Sequence, residues 1–371
     1  MTDIRITDVI AYPLTCRIPV PQRTGFAEFT AMSIVLVEIR TDAGITCYGE
    51  CLGRFAPTAY AEAVRHLLRP IVLGANALDI QAHWQRMQRS LSGRSGGMLL
   101  EAIAGVDTAL WDIAGKVAGL PVHCLLGSMG RQRITAYGSS VNWLEDDVAR
   151  ADTEAFLAAG LRSIKVKIGA PVERAVARIG LIRQIAGPEI SLSVDANSVY
   201  SVDDAIRVGR ALQAQDYLWF EEPIAAEDIG GYRHLRAHLD VRLAAGEQDY
   251  TVQQARELIA ERLVGVIQPD VARSGGISET RRIYDLAHAF HVQYCPHVGW
   301  SGGVCLAASL HLAAAAPNVL MLEYMLYPNP LRDALTVEPV GRLVDGAAVI
   351  PDGPGLGFEI NWDTVAQYRA A

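Results

Sequence analysis

The sequence predicts an α/β chain in two parts, an α+β unit followed by a parallel sheet closed as a (β/α) barrel. Three observations predict it. From Ile134 onward, short β-branched runs alternate with helical stretches. Charged residues recur just past those runs at intervals of about one βα unit. Before residue 130 the pattern differs: two alternating strands precede helices.

In the first part, Met32–Arg40 (MSIVLVEIR) alternates as a strand does, Asp42-Ala43-Gly44 turns the chain, and Ile45–Glu50 returns. Ala59–Arg69 reads as a helix stopped by Pro70. Leu99–Gly119 reads as an Ala-rich helix with Pro121 beyond its end. The barrel strands are expected at Ile134–Tyr137, Ser163–Ile168, Ile190–Val194, Tyr217–Phe220, Val241–Ala244, Val264–Ile267, Val292–Tyr294 and Val319–Leu322. Helices are expected at Val172–Ala186, Val202–Gln213, Val252–Glu261, Ser278–Ala289 and Gly303–Ala315. The last ~40 residues, rich in Pro and Gly, break the rhythm and are expected to return to the first unit. Residues 1–130 then form a cap completed by about 331–371, and 131–330 form the barrel.

A chain of 371 residues fits two domains, or one barrel with an addition. Half the residues are hydrophobic and 20% are charged, which is ample for a core. The net charge of −8 argues against a nucleic-acid partner, which would ask for a basic stripe. Met1–Pro13 lacks a signal-peptide pattern, and no run of 18 apolar residues appears, so a cytoplasmic enzyme with no membrane partner is expected. Six cysteines without a C-x-x-C pair read as reduced thiols.

In a barrel of this kind chemistry gathers at the C-terminal ends of the strands. Asp195, Glu221 and Glu247 stand there at intervals of 26 residues, followed by Asp270 after 23, His297 after 27 and Glu323 after 26. Three converging carboxylates repel one another unless a cation neutralises them. Hard oxygen ligands suit Mg²⁺. The competing reading, that each caps a helix or meets an arginine, is plausible for one carboxylate and poor for three at equal spacing. In Ile164-Lys165-Val166-Lys167-Ile168 the lysines alternate with apolar residues, so both point into the barrel. Neighbouring cations and burial are expected to lower a lysine's pKa and make it a general base. Asp270 and His297 on adjacent strands form an expected dyad in which the carboxylate orients the imidazole. Glu323, if protonated, would donate a hydrogen bond to a substrate carboxylate.

These residues, in this order and spacing, resemble the enolase superfamily, mandelate racemase subgroup. The resemblance covers nearly the whole chain, from Gly105-Val106-Asp107-Thr108-Ala109-Leu110-Trp111-Asp112 to Pro351-Asp352-Gly353-Pro354-Gly355-Leu356-Gly357. It implies a modified TIM barrel of (β/α)7β type under an α+β N-terminal capping domain. It implies that Lys167 is the base on one face of the substrate, with the Asp270–His297 dyad on the other and Lys165 beside the substrate carboxylate. Asp195, Glu221 and Glu247 would be the Mg²⁺ ligands and Glu323 an electrophilic acid. Asn197 resembles a substrate-touching position, and a homo-oligomer is implied. Superfamily sites that pair a Lys or His base with Mg²⁺ and an enediolate are an established pattern. Members with a lysine where Asp270 stands fit less well.

Two bases on opposite faces permit dehydration of an acid sugar to a 2-keto-3-deoxy acid, or racemisation of a 2-hydroxy acid. A loop from Ile18 to Met32 and the segment around Arg54 are expected to cap the pocket. Arg23, Thr24 and Arg54 suit a polyhydroxylated small-molecule carboxylate, and Phe26 and Phe29 share that loop. A non-catalytic relative that binds metal or a small molecule would have lost one of the eight groups, and none is missing.

Overall fold

The structure, a computed structural model, describes residues 3–25, 27–92 and 96–370. Phe26 of the expected capping loop lies outside the described residues. The cap begins with a three-stranded antiparallel sheet: β1 Ile6–Arg23, β2 Glu28–Thr41 and β3 Thr46–Leu52. Helices α1 Pro57–Ala63, α2 Arg69–Val72, α3 Ile80–Gln88, α4 Met98–Ala118 and α5 Val122–Leu125 follow. The segment read as loop 18–32 is instead a hairpin, with Arg23 paired to Glu28 across the turn. Polar and apolar residues mix there without a clean period, so strand was not legible.

The helix read as ending at Pro70 does not stop. A π-helical turn, Val64–Leu68, links α1 to α2, and Pro70 sits in the first turn of α2. Proline is tolerated in a first turn, where its missing N–H has no helical partner to lose.

The long helix α4 packs on β3 with almost no side chain between them. A Cβ on Gly49 would lie 1.9 Å from the Gly105 carbonyl oxygen and 2.8 Å from the Ala109 nitrogen. That close approach keeps the sheet flush on α4, whose Ile103, Val106 and Leu110 are fully buried.

The barrel strands are β4 Arg133–Val141, β5 Ser163–Lys167, β6 Ser191–Asp195, β7 Trp219–Glu221, β8 Arg242–Ala245, β9 Val266–Ile267, β10 Gln293–Tyr294 and β11 Leu322–Met325. They alternate with α6 Asp146–Ala158, α7 Val172–Ala186, α8 Val202–Ala214, α9 Ile229–His238, α10 Val252–Ala260, α11 Ile277–Ala289 and α12 Gly303–Ala315. Each strand from β4 to β10 pairs in parallel with the next, and β11 pairs with β4. A parallel bridge from Tyr294 to Val319 closes the ring. Seven βα units and an eighth strand give the (β/α)7β architecture. All eight expected strands are present, shifted by a few residues at their ends.

After α13 Pro330–Asp333, a hairpin of β12 Leu343–Val344 and β13 Ala347–Val349 pairs antiparallel with the start of β4. The chain then crosses to the cap. Leu356 N–H donates to Asp112 of α4 (2.8 Å), and Tyr368, after α14 Trp362–Gln367, accepts from Thr15 N–H (2.8 Å). No helix among the described residues is long and apolar enough to cross a membrane.

Cap and barrel are also joined through Asp107 of α4, which accepts from Ser278 N (2.9 Å) and Ser278 Oγ (2.7 Å) at the start of α11. Burial pushes the Asp107 carboxyl up to about 7, against the Ser278 bonds and Arg282, and Glu279 adds to the rise. A carboxyl raised on folding holds its proton more tightly in the folded state. Its stabilising contribution is complete below the ordinary value of 3.8 and is lost as pH rises through the folded value. Asp107→Asn is therefore expected to flatten the fall in unfolding free energy between about pH 4 and 7, by at most about 1.4 kcal/mol per pH unit. Urea titrations across that range check it, and equal slopes in the two proteins would refute it.

Candidate active site

Strand alternation aims the lysines. Ile164, Val166 and Ile168 pack outward with Ala175 and Ile179 of α7, so Lys165 and Lys167 face the barrel interior. The register then places Lys167 beside Asp195 and Asp195 beside Glu221 on successive strands. Glu247 follows β8 after Gly246, whose φ of 131° suits glycine. Asp270 and His297, just beyond β9 and β10, form a parallel bridge with each other. Glu323 lies on β11. All eight residues are buried at one mouth.

Oxygen atoms of Asp195, Glu221 and Glu247 lie within 4.8 Å of one another, close enough to share one ion. Lys165 Nζ lies 2.7 Å from Glu221, 2.8 Å from Glu323 and 3.7 Å from Asp195, above the Tyr137 ring. Lys167 donates to Asp195 and, at 3.1 Å, to Asn197 Oδ1. On the other side of the triad, His297 Nδ1 meets Asp270 at 2.8 Å and Nε2 faces Glu247 at 3.1 Å. The dyad expected from the spacing is thus assembled, with Nε2 aimed at the centre.

Two electrostatic expectations are corrected. Burial disfavours the charge on Lys165, yet Glu221 and Glu323, then Tyr137 and Asp195, hold its pKa well above the ordinary lysine value. Burial and Lys165 likewise oppose the charge on Lys167, but Asp195, Glu247 and Glu221 prevail and raise it. The reading of lowered lysine pKa values omitted these carboxylates, of which Asp195, Glu221 and Glu323 lie within 4 Å of Lys165 and Asp195 within 4 Å of Lys167. Burial alone would lower the His297 pKa; Glu247, Glu323 and Asp270 instead raise it to about 9.

Glu323 differs from its expected role as a protonated acid. It accepts from Ser139 Oγ (2.6 Å) and Val298 N–H (2.7 Å) while facing Lys165. Burial favours its neutral form, but Lys165 and His297 outweigh it and hold the group ionised. The surroundings offer donors, which call for a carboxylate.

The capping residues divide. Asn197 sits at the mouth, its N–H and Nδ2 on Asp195 and its φ positive at 46°. Thr24 is buried in the hairpin turn, where its Oγ1 accepts from Ala27 N–H (3.2 Å). Arg23 is exposed, and its N–H donates to Asn142 Oδ1 (3.2 Å). Arg54 is half-buried beside Phe29, Phe55 and Trp300. Phe29 stacks on Phe55 (5.7 Å) and leans on Trp300 (4.7 Å), so hairpin, cap and barrel loops meet in one aromatic cover. A Cβ on Gly25 would lie 2.8 Å from the Ile168 carbonyl oxygen, so the hairpin tip rests on the barrel rim. A cavity of about 970 Å³ beside Tyr48, Lys116 and Trp362 holds none of these residues.

Sequence reading missed several supports. Gln268 Nε2 donates to Glu221 (2.8 Å), Ser139 to Glu323, and Arg273 to Glu247 (3.2 Å). Glu50 of the cap accepts from Gly302 N–H (2.6 Å) and Cys305 N–H (3.0 Å), holding the loop after His297. Gln268 was findable, since it follows β9 directly and precedes Asp270 by two residues.

Residues 147–364 match the enolase C-terminal domain-like family model, and residues 6–127 match the mandelate racemase / muconate lactonizing enzyme N-terminal domain. This chain belongs to the enolase superfamily, mandelate racemase subgroup. It is 34% identical to the D-galactarolactone cycloisomerase of Agrobacterium fabrum (strain C58) over 99% of both chains. It is 35% identical to the arabinonate dehydratase of Saccharolobus solfataricus over 93% of this chain and 92% of that one. A crystal structure of a racemase from Streptomyces coelicolor A3(2) with bound magnesium superposes with a TM-score of 0.91 at 28% identity, covering 98% of this chain and all of that one. Superfamily relatives of this chain are thus hydro-lyases and isomerases.

Proposed function

We propose that this enzyme removes the α-proton of a 2-hydroxycarboxylate and eliminates the β-hydroxyl, converting an acid sugar to a 2-keto-3-deoxy acid. The observation that carries the reading is the placement of Lys167 and the Asp270–His297 dyad on opposite sides of one carboxylate triad. Three buried carboxylates with convergent oxygens fit Mg²⁺, a hard cation that retains room for substrate oxygens. Bound by Asp195, Glu221 and Glu247, Mg²⁺ would bind the substrate carboxylate, offset the charge of its enediolate and free Lys167 from Asp195.

The chain's own groups supply the rest. Lys167 takes the α-proton, and the C–H electron pair moves into the carboxylate as an enediolate. Lys165, fixed between Glu221 and Glu323, places a positive charge where that oxygen charge develops. Collapse of the enediolate expels the β-hydroxyl, which leaves as water with the proton of His297. Asp270 keeps the His297 Nε2 directed inward for that transfer. The enol product then takes a proton at C3 to give the keto acid. Relatives named for sugar-acid dehydration support this outcome. The same facing groups favour one second reading, return of a proton from the far side, which inverts the α-carbon.

Proton NMR in D₂O with Mg²⁺, over aldonates, aldarates and mandelate, separates the two. Loss of the α-signal with a new C3 methylene is the expected result. Exchange without a methylene identifies the racemase, and silence on every acid would overturn the dehydration reading for this panel.

A further inference from the structure

Arg273 follows Asp270 in the loop after β9, its backbone N–H bonded to the Asp270 carbonyl (2.9 Å). The residue is buried, 5% exposed, and none of the proposed chemistry uses it. Nη1 donates to Glu247 Oε1 at 3.2 Å. On the other side, Nε lies 3.5 Å from Glu101 Oε1, on α4 of the cap. Glu101 in turn accepts from Tyr60 Oη of α1 at 2.6 Å. The Tyr250 ring lies 5.6 Å from the guanidinium carbon. A run of polar contacts thus leads from the cap to the triad: Tyr60 hydrogen-bonds Glu101, Glu101 meets Arg273 Nε as an ion pair without a hydrogen bond, and Arg273 donates to Glu247.

We infer that Arg273 is a positioning residue for Glu247, held in place by the cap-borne Glu101, so that the capping domain sets the geometry of the metal site. This rests on the reading of the triad as the Mg²⁺ site. The physical case is directional. By occupying Oε1, Arg273 leaves Oε2 of Glu247 to face the centre, where it lies 3.1 Å from His297 Nε2. A planar guanidinium can span Glu247 and Glu101 at once, which a lysine ammonium cannot do with the same geometry. Partners that orient metal ligands typically matter by about 10–100-fold in affinity.

The test measures Mg²⁺ binding by calorimetry on the full chain, with melting temperature in EDTA recorded alongside. Arg273→Lys is expected to weaken Mg²⁺ binding about 10–100-fold. Removing one partner of a buried ion pair can unfold a protein. Glu101→Gln is therefore the second variant; it keeps shape and an acceptor for Tyr60 and is expected to weaken Mg²⁺ in the same direction. Asp107→Asn loosens the same helix α4 away from the mouth and is expected to bind as wild type. Wild-type affinity in Glu101→Gln, or an equal loss in Asp107→Asn, overturns the inference. A wild-type protein that binds no Mg²⁺ defeats the metal reading itself, and this inference with it.

Discussion

Replacing Lys167 by alanine is expected to lower turnover by about 10²–10⁴-fold, the usual contribution of a positioned general base. The argument is geometric. Lys167 Nζ is anchored by Asp195 and Asn197 at the mouth, and His297 Nε2 faces the same space from the opposite side. A substrate held at the triad presents one face to each. Neither group reaches the other's face without leaving its anchors. His297→Asn should therefore also lose turnover, but by a different route. Where Lys167 is intact, α-deuterium exchange can outlast elimination, because the proton donor to the leaving hydroxyl is what has been removed. In Lys167→Ala, exchange and elimination should fall together. Both are read from one NMR time course in D₂O. Full turnover in Lys167→Ala would remove it from the mechanism, and exchange surviving there while elimination fails would exchange the two roles.

Most of the barrel was legible in the sequence because its signal is local. A strand such as Ser163–Lys167, flanked by a helix as well formed as Val172–Ala186, announces itself through a change of period. The misses have physical causes. The stretch from Ile6 to Arg23 mixes prolines and polar residues, and its strand character comes from pairing with β2, whose core-facing side is fixed by packing on α4. Tertiary context overrides weak local propensity there. Around Pro70 the error was the opposite, since a local rule was applied where a π-turn restarts the helix.

The triad and the dyad were legible for a further reason. Equal spacing on a repeating fold translates directly into convergence at one mouth. What could not be read was how their charges balance. Three carboxylates act on each lysine, so their pKa values rise where the sequence suggested a fall. Glu323 proved to be ringed by donors, among them Ser139, because the first and last strands of the barrel are neighbours. That pairing joins residues 184 positions apart, and no period in the sequence encodes it. Glu50 and the Glu101 contact of Arg273 were missed for the same reason: those partners lie in the other domain.

Loss of a triad carboxylate should be the most complete of the single changes. Glu221→Gln is expected to reduce Mg²⁺ affinity by more than the 10–100-fold that outer supports typically command, and turnover with it. Glu221 is the central member, bonded to Lys165 (2.7 Å), to Gln268 (2.8 Å) and to Trp219 Nε1 (3.2 Å). The amide keeps the shape, and its single oxygen can still accept from Gln268 and Trp219, while its NH2 turns toward Lys165. Lys165 retains Glu323 at 2.8 Å as its counter-charge. What the amide lacks is the negative charge that balances a divalent ion. Mg²⁺ at 100 times its dissociation constant should stabilise the wild type by about 2.7 kcal/mol, since it binds the folded state alone. The measurement is melting temperature with Mg²⁺ and with EDTA. The wild type should show an Mg²⁺-dependent rise, and Glu221→Gln should show none while melting near the wild-type EDTA value. A variant that keeps the full rise would mean that the ion is held elsewhere, and the three convergent carboxylates would then serve only the lysines and the imidazole that already surround them.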